Sequence, residues 1–195
     1  MTDDLPAIIR NLADRAAILD VLGRFARGSD RFDTALIARC YWPDAVDNHG
    51  GFNGPASEFI IWSVALTGPF ERMSHILGHS NFDFAGNVAA VETAFTFFAT
   101  YLDAADDRVD VVQVGRYLDR FERRDDEWRI ALRQVVLDWK RELPGSAGWQ
   151  GLDPESPRKI GRRGADDPLH ALLRDIGRPG GSSLRTAPPP RDRDD

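Results

Sequence analysis

From Ser74 to Trp139 the hydrophobic pattern has a period of two, held through four segments separated by short polar turns. Alternation of this kind sends successive side chains to opposite faces of a strand, so it predicts antiparallel strands rather than helices. The expected strands cover residues 74–84, 88–104, 109–123 and 128–139, with turns at Ala85-Gly86-Asn87 and Asp125-Asp126. In the second strand Val91, Thr93, Phe95, Phe97, Ala99 and Tyr101 alternate with Glu92, Ala94, Thr96, Phe98 and Thr100. In the fourth, Trp128, Ile130, Leu132 and Val136 alternate with Arg129, Ala131, Arg133, Val135 and Leu137. Both faces of the sheet carry apolar groups. Helices are therefore expected on one face and a second subunit on the other.

Upstream the period is helical. Leu12, Ala16, Leu19, Leu22 and Ala26 recur at three- and four-residue steps, widened by Ile18, Val21 and Phe25, and predict a helix over residues 6–27. Gly28 is the expected C-cap, which sets Asp30 just beyond the helix end. A second helix is expected over 33–40 with Asp33 as its N-cap, stopped by Pro43. A short strand over 45–48, a His49-Gly50-Gly51 turn and a third helix from Pro55 to Gly68-Pro69 follow. Helix, helix, short strand, helix and four long strands make an α+β fold. We expect one such domain over residues 1–143. An extension over 144–177 follows, with a short helix at 167–176 capped by Asp166 or Asp167. The low-complexity tail, 178–195, is too polar to order itself.

The chain has 195 residues, 42% of them hydrophobic, enough for one sizeable core. Its net charge of −6 and the lack of a basic block argue against a nucleic acid or a membrane surface as partner. A single cysteine, Cys40, excludes an intrachain disulfide, and no secretory signal or membrane-length apolar run is visible. A cytoplasmic protein is the expectation.

Several polar residues stand out against apolar neighbours, each with two readings. Asp30 is either a helix-end capping residue or a functional acid; His75 is either a core histidine or a general base. Arg133 is either an ion-pair partner of Asp119 or Glu92, or an anion-stabilising group. His49 reads first as a turn residue. Asp47, His49, His75 and His79 have the ligand chemistry of a zinc or iron site but not the spacing of one, so no metal and no cofactor are expected.

The pieces ARGSDRFD, CYWPDAVDNHGGFNG, SHILGHSNFDFAGNVAAVET and GRYLDRFERRDDEWRIALRQVVLDW resemble the SnoaL-like family of the nuclear-transport-factor-two-like superfamily, over roughly residues 12–140. The resemblance implies a cone-shaped barrel, a curved and mostly antiparallel sheet wrapped on about three N-terminal helices. It also implies an apolar pocket in which Asp30 and His75 form an acid–base dyad and Arg133 steadies a leaving group or oxyanion, with Phe25, Trp42, His49, Phe59 and Trp62 lining the substrate. In dehydratases and dehydrochlorinases of this family a lysine or tyrosine stands where this chain has Phe25. The expected activity is a cofactor-independent lyase or isomerase, most simply a dehydratase acting on a hydrophobic cyclic small molecule. The alternative is a non-catalytic ligand-binding or accessory subunit. In either case the resemblance implies a homodimer or homotrimer.

Overall fold

The computed structural model describes residues 4–144 and 161–178. The tail expected from residue 178, and most of the extension before residue 161, lie outside that range. The order of elements is α1 (Leu5–Arg31), α2 (Thr34–Ala38), β1 (Tyr41–Asn48), β2 (Asn53–Pro55), α3 (Ala56–Thr67), β3 (Phe70–Ala85), β4 (Val88–Leu102), β5 (Arg108–Arg124), β6 (Glu127–Pro144) and α4 (Pro168–Asp175). The fold is α+β, as the alternation of periods implies.

The six strands form one open sheet in the order β2-β1-β6-β5-β4-β3. β3 to β6 run antiparallel to their neighbours, and β1 joins β6 in parallel. The C-terminal half of α1 touches strands from both ends of this order. Phe25 meets Tyr41 of β1 and Tyr117 of β5, while Asp30 meets His75 of β3. A flat sheet could not reach one helix from both edges, so the sheet curls round α1. Ile18, Val21, Leu22 and Phe25 fill the cone with Tyr41, Phe95, Tyr117, Phe121 and Ile130.

Four expectations need correction. First, Leu12 and Leu19 are 61% and 47% exposed, so the buried stripe of α1 is Ile18, Val21, Leu22, Phe25 and Ala26. These leucines face away from the sheet, while Asp14 on the same helix accepts from Trp128 Nε1 at 2.8 Å and Arg15 packs on Phe82. Second, α1 does not end at Gly28 but continues to Arg31, closing through Phe32 in the left-handed region at φ 61°. Gly28 serves the approach of α2 instead: a Cβ there would lie 2.8 Å from Ile37 Cγ1. Asp30 therefore sits in the last turn of the helix, not beyond it.

Third, Pro43 is inside β1, at the irregularity between Tyr41 and Val46 where β1 loses register with β6. Proline is tolerated at such a point because it has no N–H to give the ladder. Fourth, the alternation of β6 changes phase. Ile130 pairs with Phe121 but Leu132 pairs with Arg120, so Ala131 is an extra residue. This bulge turns Arg133 into the core and leaves Leu132 39% exposed.

Candidate active site

The last turn of α1 and the start of β3 deliver the first pair. His75 Nδ1 lies 2.7 Å from Asp30 Oδ1, and the His75 backbone N–H donates to both carboxylate oxygens at 3.2 and 3.0 Å. Asp30 is therefore held from two directions by one residue. A carboxylate accepting at Nδ1 fixes the tautomer with the proton there and leaves Nε2 for a substrate. Both side chains are about a tenth exposed, enough to touch a ligand but not to be flooded. The ring of Phe97 lies against the imidazole, 4.8 Å between centroids.

Arg133 is completely buried and donates to Asp119 through Nε at 2.8 Å and Nη2 at 2.7 Å. Its guanidinium lies against two rings, 4.2 Å from the Phe25 centroid and 4.0 Å from that of Tyr117. Nη1 has no hydrogen-bond partner. Burial opposes the charge, but Asp119 together with the neighbouring Tyr41 and Tyr117 holds the guanidinium well above its ordinary value. Of the two ion-pair partners the sequence suggested, Asp119 is the one; Glu92 approaches Arg116 instead. Phe25 and Tyr117 meet edge to face, 5.9 Å between centroids and 79° between planes, so Phe25 walls one side of the guanidinium.

A third group joins the wall formed by β1. Asp47 is fully buried; its Oδ2 accepts from the Tyr41 hydroxyl at 2.6 Å and its Oδ1 lies 2.8 Å from His49 Nδ1. Burial holds the Tyr41 phenol well above its ordinary value, which keeps it a donor. The His49 ring stacks on Phe59 at 4.5 Å and lies 6.5 Å from both Trp62 and Tyr117. Phe25, His49, Phe59 and Trp62 therefore join one aromatic cluster through Tyr41 and Tyr117.

Trp42 does not join them. Tyr41 points inward, so strand alternation turns Trp42 outward, where its Nε1 donates to Glu122 O at 3.0 Å and Arg124 and Arg129 pack on its ring. With Ala35, Ala38, Ala56, Ile60 and Arg129 it lines a cleft of about 440 Å³ between α2, β1 and α3, and neither Asp30 nor His75 reaches it. His79 is also apart, exposed in the bulge between Leu77 and Ser80.

Sequence reasoning missed Tyr41 and Tyr117, named Asp119 only as an ion-pair candidate, and read Asp47 only as a rejected metal ligand. The available signal was spacing by two. Asp47 with His49 at the end of β1, and Tyr117 with Asp119 in β5, are each spaced by two, next to buried Ala45 in one strand and Phe121 in the other. Among the described residues no group of three or more His, Cys, Asp or Glu is arranged to hold a metal ion. Cys40 gives no nucleophile: it is buried, its thiol lies 3.3 Å from Leu36 O, and burial pushes its pKa up to about 11.

The extension closes one end of this region. Arg163 packs on the ring of Phe32 at 4.0 Å and donates to Thr67 O and Phe70 O at 2.6 and 2.8 Å. Gly164 N–H donates to Arg31 O at 2.9 Å, and Arg31 pairs with Asp167, the N-cap of α4, at 3.4 Å. No helix among the described residues is long and apolar enough to cross a membrane.

The SnoaL-like domain family matches residues 10–134, so the chain belongs to that family. No characterised protein sequence matches it. Solved structures give the same fold at low identity. A protein from Novosphingobium aromaticivorans, provisionally described as a scytalone dehydratase, superposes with a TM-score of 0.62 at 18% identity, over 70% of this chain and 92% of that one. The hexachlorocyclohexane dehydrochlorinase LinA-type3 of Novosphingobium barchaimii gives 0.59 at 19% identity, over 71% and 95%. The Kfla4162 protein of Kribbella flavida gives 0.60 at 18% identity, over 67% and 95%.

Proposed function

We propose that this chain is a cofactor-independent lyase that removes water from a hydrophobic cyclic small molecule, with His75 as the general base. The observation that carries the reading is the 2.7 Å contact between His75 Nδ1 and Asp30, which leaves Nε2 free beside an aromatic cluster. Nε2 accepts a proton from a substrate carbon, the C–H electrons form the new double bond, and the C–O bond on the adjacent carbon breaks. Asp30 stabilises the imidazolium that results. Arg133, held charged and with Nη1 unpartnered, offsets the negative charge that develops before the bond breaks. The dehydratase and dehydrochlorinase names among the structural neighbours agree with this class of reaction.

The test is a panel of steroid, terpenoid and aromatic-polyketide alcohols, with loss of water followed by mass spectrometry. Wild type is expected to convert at least one compound and His75→Ala none of it. No conversion by wild type, or equal conversion by the variant, overturns the reading. The commitment of Arg133 to Asp119 favours a second reading, a ligand-binding or accessory protein in which the same cluster holds a molecule without turning it over. Saturable binding of a panel compound without conversion would select it.

We also propose that the chain assembles as a homodimer or homotrimer through the outer sheet face. Ile76, Phe98 and Trp139 are 57%, 37% and 50% exposed there, and register places Thr96 and Val114 between Ile76 and Trp139. Sedimentation equilibrium is expected to give a dimer or trimer whose association Trp139→Glu weakens; a wild-type monomer at micromolar concentration rejects the assembly.

A further inference from the structure

A second histidine is mounted like the first, on the other side of the cone. Short β2 aside, β1 and β3 stand at opposite ends of the sheet, yet both reach α1 because the sheet curls. β3 carries His75, whose Nδ1 rests on buried Asp30 at 2.7 Å, and β1 leads directly into His49, whose Nδ1 rests on buried Asp47 at 2.8 Å. Asp47 caps no helix. Fully buried carboxylates are costly unless their bonds are made, and both partners of Asp47 are side chains, Tyr41 and His49. The effect is to hold one imidazole: Asp47 fixes its edge and Phe59 its face, with 21° between the rings. The carboxylate is wholly enclosed while the ring is 24% exposed, so the accessible part of the pair is the imidazole that can meet a ligand. A chain of rings joins the two pairs through the core: Tyr117 lies 6.5 Å from His49 and stacks on Phe95 at 4.5 Å, and Phe97, two residues further along the same face of β4, lies against His75 at 4.8 Å.

We infer that His49, positioned by Asp47, is the general acid that protonates the leaving group while His75 takes the proton from carbon. The inference rests on the lyase reading above and narrows it. As the C–H bond passes its proton to His75 Nε2 and its electrons to the new C=C bond, the C–O bond breaks and the oxygen takes the Nε2 proton of the His49 imidazolium, leaving as water. His75 ends as the cation and His49 neutral, and proton exchange with solvent restores both. A halide leaves as a stable anion without a proton, whereas a hydroxyl does not. The site is therefore built for an alcohol leaving group, and the fourth polar group that Phe25 does not supply comes from β1.

The test uses the full chain and a matched pair, the hydroxyl and chloro forms of one cyclic ketone carrying the leaving group β to the carbonyl. His49→Gln is expected to slow elimination of water roughly 10²–10⁴-fold while slowing elimination of chloride less than about tenfold. His75→Gln should slow both. Equal effects of His49→Gln on the two substrates, or no effect on the alcohol, overturn the acid assignment and leave the base standing. No turnover of either compound by wild type overturns the lyase reading and the acid role with it. Nitrogen-15 NMR of the unmodified chain supplies a check independent of variants: His49 and His75 should both carry their neutral-form proton on Nδ1, and Asp47→Asn should change His49 alone. A His49 proton found on Nε2 in the neutral ring overturns the positioning by Asp47.

Discussion

Asp119→Ala is expected to destabilise the chain by about 3–5 kcal/mol, a large part of the 5–15 kcal/mol that holds a typical domain together. The substitution removes both bonds that Arg133 makes to a protein carboxylate and leaves a guanidinium at zero exposure facing two aromatic rings. The rings offer a cation–π attraction on the order of 2 kcal/mol, which does not replace a desolvated ion pair. Replacing both partners, Asp119→Leu with Arg133→Met, should restore most of the stability, because the cost lies in the unpaired charge rather than in the absence of the pair. Urea titrations of the single and double variants measure this directly. A double variant as unstable as Asp119→Ala would mean that packing, not charge, dominates at this position. Activity separates the second role: if Arg133 offsets charge in the reaction, the double variant is stable and slow.

Asp30→Asn is the change expected to cost most in turnover, on the order of 10³–10⁴-fold. Asparagine keeps the volume but can present only one oxygen, whereas Asp30 accepts three N–H contacts from His75, two from the backbone and one from the ring. The amide N–H₂ would face a donor, and the ring would turn over or adopt the tautomer with its proton on Nε2, where a base needs a lone pair. His75→Gln should reach a similar loss by removing the base itself. Circular dichroism and a denaturation midpoint close to wild type would show that the fold survives in each. An Asp30→Asn protein with unimpaired turnover would remove Asp30 from the mechanism.

The strands were legible because period-two alternation is strong and long, yet the expected start of β3 and end of β6 fell short, and β4 ends at Leu102 rather than 104. β6 continues to Pro144, past the expected end at Trp139, because backbone pairing with β5 persists where the side chains have become polar and exposed. β2, three residues long, has too few side chains to show a period. The stripe of α1 was misplaced because apolar residues occur on both sides of its first half, and only contact with the sheet tells them apart. Arg133 needed the bulge at Ala131 to face inward, and bulges leave no mark in a hydrophobic pattern. Asp30 and His75 came from family resemblance rather than from spacing, since positions 45 apart in the chain share no local signature. Asp47 and Asp119 looked like ordinary strand acids because burial, which gives them meaning, depends on how far the sheet curls.

The two rings packed against Arg133 also limit how this site can be altered. The ring of Phe25 lies 4.2 Å from the guanidinium. A lysine at position 25 would bring a second cation beside the first, a repulsion of about 4 kcal/mol at an effective dielectric of roughly 20. Phe25→Lys should therefore lower the denaturation midpoint and leave turnover no higher, as paired melting and rate measurements would show; a stable, faster variant would contradict this. Grafting one polar residue from another member of the fold is then not a single substitution but a change of charge at three positions. The pocket can exchange its polar groups only in sets.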